Sequence, residues 1–133
     1  MALKVELKPG ERFILGESVI TNDDQRTKLF IEGEVPVLRS KDIMRMEDAD
    51  TPCKKIYLVV QMMYLASDPK LHHSTYFKLI GDVQKAAPSL FPHIDNLNNE
   101  ILTGAYYKGL KIVNAMISDE EELLNNALGR TGI

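Results

Sequence analysis

One cysteine, Cys53, is all that this chain of 133 residues carries. That excludes an intramolecular disulfide and fits a reducing compartment. An excess of positive charge is missing too. Sixteen Lys and Arg stand against nineteen Asp and Glu, for a net charge of −3, which does not advertise nucleic-acid binding. The longest apolar run, Ile56–Ala66, is interrupted by Gln61 and is too short to span a bilayer. No basic segment precedes an apolar run at the N-terminus, so no secretory signal is expected. There is no Gly-rich phosphate loop, no C-x-x-C and no His/Glu metal spacing. His72 and His73 are adjacent, and on a helix neighbours point about 100° apart, which does not suit a shared metal. Cys53 falls among apolar residues with no base in reach, the pattern of an inert buried thiol. The expectation is a soluble, cytoplasmic protein that is not an enzyme, with no cofactor and no metal.

What is present suffices for a core. Hydrophobic residues make up 44% and charged residues 26%, ordinary for a globular chain of one domain or two small modules. The segment Ala2–Leu7 alternates, with Leu3, Val5 and Leu7 on one face and Lys4 and Glu6 on the other, the period of a half-buried strand. Lys8-Pro9-Gly10-Glu11 reads as a turn. Short strands follow at Arg12–Leu15, Ser18–Thr21, Arg26–Ile31 and Val35–Arg39. Pro36 confines the last of them to an edge or a late start. Such tight links predict an antiparallel arrangement, and one five-stranded sheet is expected.

Beyond residue 45 the period becomes helical. Asp50 or Thr51 can cap a helix with Pro52 at its first position. Cys53, Ile56, Val60 and Met63 then recur at helical spacing. Phe77, Ile80 and Val83 mark a second helix, and Ile94, Leu97 and Ile101 a third. A fourth, from about Ala105 to Leu124, carries Tyr106, Leu110, Val113 and Ile117 on one face. The predicted fold class is α+β. A small antiparallel β module over residues 1–45 precedes an all-helical module of three to four helices over 46–133, with a frayed tail from about residue 125.

Three surface features stand out. The polar face of the β module gathers Lys4, Arg26 and Lys28 with Phe30, and Arg39, Lys41 and Arg45 follow. Cations with an aromatic suit single-stranded RNA. By periodicity alone the plainer reading is preferred: solvent-side residues paired with Glu6, Glu11 and Glu32. The helices are rich in Met and Tyr, with Met62, Met63 and Tyr107 the candidates for a protein interface or dimer contact. Asp119–Glu122 is a run of four acids, read as a solvated helix face, with acidic docking as the alternative.

The stretches "LKVELKPGERFILGESVITN", "PVLRSKDIM", "ADTPCKKIYLVVQMMYL" and "GAYYKGLKIVNAMI" together resemble the FlbT family of flagellum-biosynthesis regulators, from about Leu3 to Leu124. The resemblance implies a post-transcriptional regulator of flagellin synthesis. It would bind the 5′ untranslated region of flagellin mRNA and promote its decay, with a FlaF-type regulator as partner. The alternative is an adaptor that docks FlaF or flagellin and affects RNA only indirectly. Over Val5–Ile43 the order of Gly-Glu steps and "VLRSKDI" also resembles CsrA-type RNA-binding proteins, in which two chains exchange strands. That likeness implies turns at Gly10-Glu11 and Gly16, and an RNA-contacting role for Arg39. The chain departs from it at Leu7-Lys8, where those proteins carry adjacent basic residues, and has a shorter link between its middle strands. Lys4, Arg26, Lys28, Arg39 and Lys41 are therefore the candidate RNA-binding residues.

Overall fold

The computed structural model describes residues 2–128. The fold is α+β: five strands precede four α-helices, with short 3-10 turns between them. The chain divides into two compact units. One runs to Ile43 and takes in Leu65–Ser67; the other holds Met44–Tyr64 and continues from Asp68.

In the first unit, β1 (Ala2–Leu7) pairs antiparallel with β4 (Thr27–Glu32), from Ala2 opposite Glu32 to Leu7 opposite Thr27. β2 (Arg12–Leu15) pairs antiparallel with both β3 (Ser18–Thr21) and β5 (Val37–Arg39). The strands lie where the alternation places them, but they form two sheets, β1-β4 and β3-β2-β5, and not the single sheet expected. The reason lies in burial. Val5, Leu7 and Phe13 form a core on which Leu15, Ile20, Leu29, Ile31 and Val37 pack, so both sheets contribute their apolar sides. One open sheet would leave an apolar face needing cover, whereas two small sheets cover each other.

Turn chemistry sets the register. Glu11 N–H donates to Lys8 O at 3.0 Å, and Gly10 between them has φ +73°, the positive φ that a Pro-Gly type II turn needs. Gly16 opens the two-residue β2–β3 loop with φ +61°, as a II′ hairpin requires. A Cβ there would also sit 3.0 Å from Val35 Cγ1. Pro36 lies just before β5, as expected, and its carbonyl accepts from Gly16 N–H at 2.8 Å.

In the second unit, α1 (Pro52–Leu65), α2 (His73–Ala86), α3 (Phe91–Leu102) and α4 (Tyr106–Ala127) surround a core of Ile56, Val60 and Met63 with Tyr76, Ile80, Ile94, Leu97, Leu110, Val113 and Met116. Tyr76 takes the inward place expected of Phe77, which is 43% exposed. The Tyr76 hydroxyl donates to Asn98 Oδ1 at 2.7 Å, a partner that lets a phenol enter the core. α4 runs to Ala127, three residues past the expected end, and residues 129–133 of the tail lie outside the described residues. Among the described residues no helix is long and apolar enough to cross a membrane.

The start of α1 is capped twice. Thr51 Oγ1 accepts from Lys54 N–H at 3.3 Å, and Glu120 Oε2 accepts from Cys53 N–H at 2.9 Å. The acidic run is thus partly structural: Asp119 Oδ2 also meets His93 Nε2 at 2.8 Å. Burial, and then the Glu120 charge, push the Cys53 thiol up to about 12. Native Cys53 is expected to resist thiol-disulfide reagents at about pH 8, where an exposed thiol is partly thiolate, and to react only as the chain unfolds. A raised thiol pKa contributes stability in full below the ordinary 9.0, and the contribution disappears as pH climbs through about 12. Urea melts across that range check the sign. Rapid labelling of the native chain would contradict the burial.

Candidate nucleic-acid interface

β1 and β4 build the outer surface of the first unit by simple pairing. Residues directly opposite on an antiparallel pair share a face. Lys4 stands across from Phe30 and Glu6 across from Lys28, with Glu32 two residues beyond Phe30. The inner residues of β4 are half-buried, and Lys28, Phe30 and Glu32 point outward. Phe30 is 69% exposed, a large apolar ring standing between two lysines.

Arg39 joins this surface from the other sheet. It ends β5 opposite Phe13, and its Nη2 donates to Lys4 O at 3.2 Å. One donor is therefore spent on the backbone of β1 while the side chain stays exposed. Arg26 lies immediately before β4 and Lys41 in the 3-10 turn Ser40–Asp42, both exposed. The structure thus brings Lys4, Lys28 and Phe30 together on one face, holds Arg39 at the Lys4 backbone, and sets Arg26 just before β4 and Lys41 in the turn after β5.

The ion pairs refine the expected list. Lys4 Nζ reaches Glu6 Oε1 at 3.4 Å with both side chains about half exposed, a contact worth little in water. Arg45, the last cation of the expected face, is held by Asp48 at 2.9 Å and Glu47 at 3.4 Å. Those carboxylates, Asp48 first, raise its pKa, so the guanidinium keeps its charge with two acids beside it. Among the described residues no ion pair joins Arg26, Lys28, Arg39 or Lys41 to a carboxylate. Arg39 adds positive charge at the margin, but with Glu6 and Glu32 against Lys4 and Lys28 the β1–β4 face itself is electrically balanced. It can hold a strand at short range but does little to steer one from afar.

The interaction candidates of the helices divide. Met63 is fully buried and presents nothing to a partner, because it belongs to the inward stripe of α1; this corrects its place among the interface candidates. Met62 is 44% exposed and Tyr107 43%. Tyr107 packs on Tyr64 with ring centroids 5.5 Å apart, and Lys111 Nζ lies 5.2 Å from its ring centre. Sequence reading passed over Lys111, although its i, i+4 spacing from Tyr107 was the available signal.

One protein family, described as flagellar protein FlbT, matches residues 3–124. The chain belongs to the FlbT family. Among FlbT relatives, a probable flagellum biosynthesis repressor protein FlbT of Bradyrhizobium diazoefficiens is 54% identical, covering 92% of this chain and 85% of its own length. One of the same name from Rhodopseudomonas palustris is 48% identical over 94% of this chain and 99% of its own. The flagellum biosynthesis repressor protein FlbT of Caulobacter vibrioides is 34% identical over 95% and 92%. No solved structure matches this FlbT chain. Its likeness to CsrA-type proteins therefore rests on residue order alone.

Proposed function

We propose that this chain is a non-enzymatic, cytoplasmic regulator of flagellum biosynthesis that binds the 5′ untranslated region of flagellin mRNA and promotes its decay. The relatives' names supply the biological setting. The observation that carries direct RNA contact is Phe30, 69% exposed and set between Lys4 and Lys28 with Arg39 adjoining. A base stacks on the ring while the cations meet flanking phosphates.

Purified protein is expected to shift a flagellin-leader RNA by itself. Its affinity should fall with salt by a slope of about 0.7 per phosphate contact, hence about 2 for three cations. A shift that needs a FlaF-type partner would favour the second reading, in which exposed Met62 and Tyr107 dock that partner or flagellin. RNA cleavage by the purified protein alone would replace both readings with a nuclease. The outer edges of β1, β3 and β4, which pair with no further strand among the described residues, also allow a homodimer, which sedimentation velocity measures directly.

A further inference from the structure

The helical unit separates its charges along α4. Lys108 and Lys111 lie in its first two turns, and Asp119, Glu120, Glu121 and Glu122 lie beyond. The two ends are engaged differently. Asp119 and Glu120 are bonded to His93 and to the start of α1. Among the described residues no ion pair engages Lys108 or Lys111. The basic end is also the aromatic end. Tyr107 is 43% exposed, with Tyr64 at 5.5 Å between ring centroids and the Lys111 ammonium over its ring, 5.2 Å from the centroid. On the neighbouring position Tyr106 meets His73 Nε2 through its hydroxyl at 3.4 Å. These contacts anchor the start of α4 against both α1 and α2.

We infer that Tyr107, Lys108 and Lys111 form a second contact for single-stranded RNA, on the helical unit and built independently of the β surface. The inference rests on the RNA-binding reading above and extends it to two points of attachment on one transcript. A half-exposed phenol held by another ring offers stacking surface at small cost in ordering once the Lys111 ammonium swings from over the ring to a phosphate. That ammonium and the second lysine, Lys108, supply the charge that phosphates seek. A purely apolar partner would gain nothing from two lysines that no carboxylate engages among the described residues. Nucleic acid uses both the ring and the charge.

The test is RNA binding by the full chain, using a flagellin-leader RNA and a short oligouridine as probes. Tyr107→Leu is expected to weaken binding of the leader about tenfold, the order of one lost base stack. With this second contact the wild-type salt slope rises from about 2 to about 3.5, and Lys108→Gln with Lys111→Gln should lower it by about 1.4, two contacts' worth for a single strand. Both lysines lie on the surface, so this variant folds even where Tyr107→Leu disturbs Tyr64, and a thermal melt verifies it. Ultraviolet crosslinking should place a nucleotide on the peptide containing Tyr107, and should still do so in Phe30→Ala. If wild type binds RNA and Phe30→Ala weakens it while the α4 variants match wild type, the second contact is overturned and the β-surface reading stands. If wild type binds neither probe, that reading falls and takes the second contact with it. Loss of FlaF or flagellin capture with RNA affinity unchanged would reassign the patch to protein docking.

Discussion

Replacing Gln61 with leucine is expected to destabilise the protein by about 2–4 kcal/mol, although the change makes the apolar run of α1 continuous. Gln61 is 6% exposed in the middle of that run. Its Oε1 accepts from Met44 N–H at 2.7 Å, and its Nε2 donates to Met44 O at 3.0 Å. One amide side chain thus serves both backbone groups of a single residue, as a neighbouring strand would. Leucine removes both partners and leaves a half-buried N–H and C=O to find others, at about 1–3 kcal/mol each. For a chain of this size the loss lowers the melting temperature by roughly 10 °C. Gln61→Glu is the informative companion. Its carboxylate still accepts from Met44 N–H but cannot donate to Met44 O, and it places a charge among apolar neighbours, so it should be no better than leucine at neutral pH. A melting temperature within about 2 °C of wild type for Gln61→Leu would mean that water replaces the clamp.

Phe30→Ala is expected to weaken binding of a flagellin-leader RNA about tenfold or more, since a base stacked on an aromatic side chain contributes about 1–3 kcal/mol by alanine substitution. Stability should hardly change, because the ring is 69% exposed and the core of this unit lies on the other side of β4. Phe30→Tyr preserves the flat face and should retain affinity. The pair of variants separates stacking from a general loss of structure. Lys28→Gln should instead reduce the salt slope by about 0.7 with a smaller loss of affinity at low salt. Fluorescence anisotropy in a salt series measures all three. Equal affinity for Phe30→Ala and wild type would remove the ring from the interface and leave only charge, which the balanced face supplies poorly.

Much of the local structure is legible from residue order. Alternation in Ala2–Leu7 and Thr27–Glu32 places both strands and their outward residues. Pro9-Gly10 and Gly16 place the turns. Thr51-Pro52 places the start of α1, and the hydroxyl of Thr51 caps it as expected. At Phe77 helical spacing alone does not decide which ring turns inward. Tyr76 and Phe77 are adjacent aromatics, and helical spacing serves either one as a partner for Ile80 and Val83. Asn98, on another helix, supplies the hydrogen bond that favours the phenol inside.

By itself the order of residues determined five strands, a following module of three to four helices, membership of the FlbT family and the pool of cations. Tertiary structure alone decided that the strands divide into two facing sheets, that Arg39 reaches Lys4 across 35 positions of chain, that Phe77 yields its inward place to Tyr76, and that Gln61 clamps Met44. The physical reason is the range of the information. Periodicity shows which side chains share a face of their own element, because that depends only on backbone geometry. Which element comes to lie opposite depends on burying all the apolar faces at once, and only the assembled fold settles that competition.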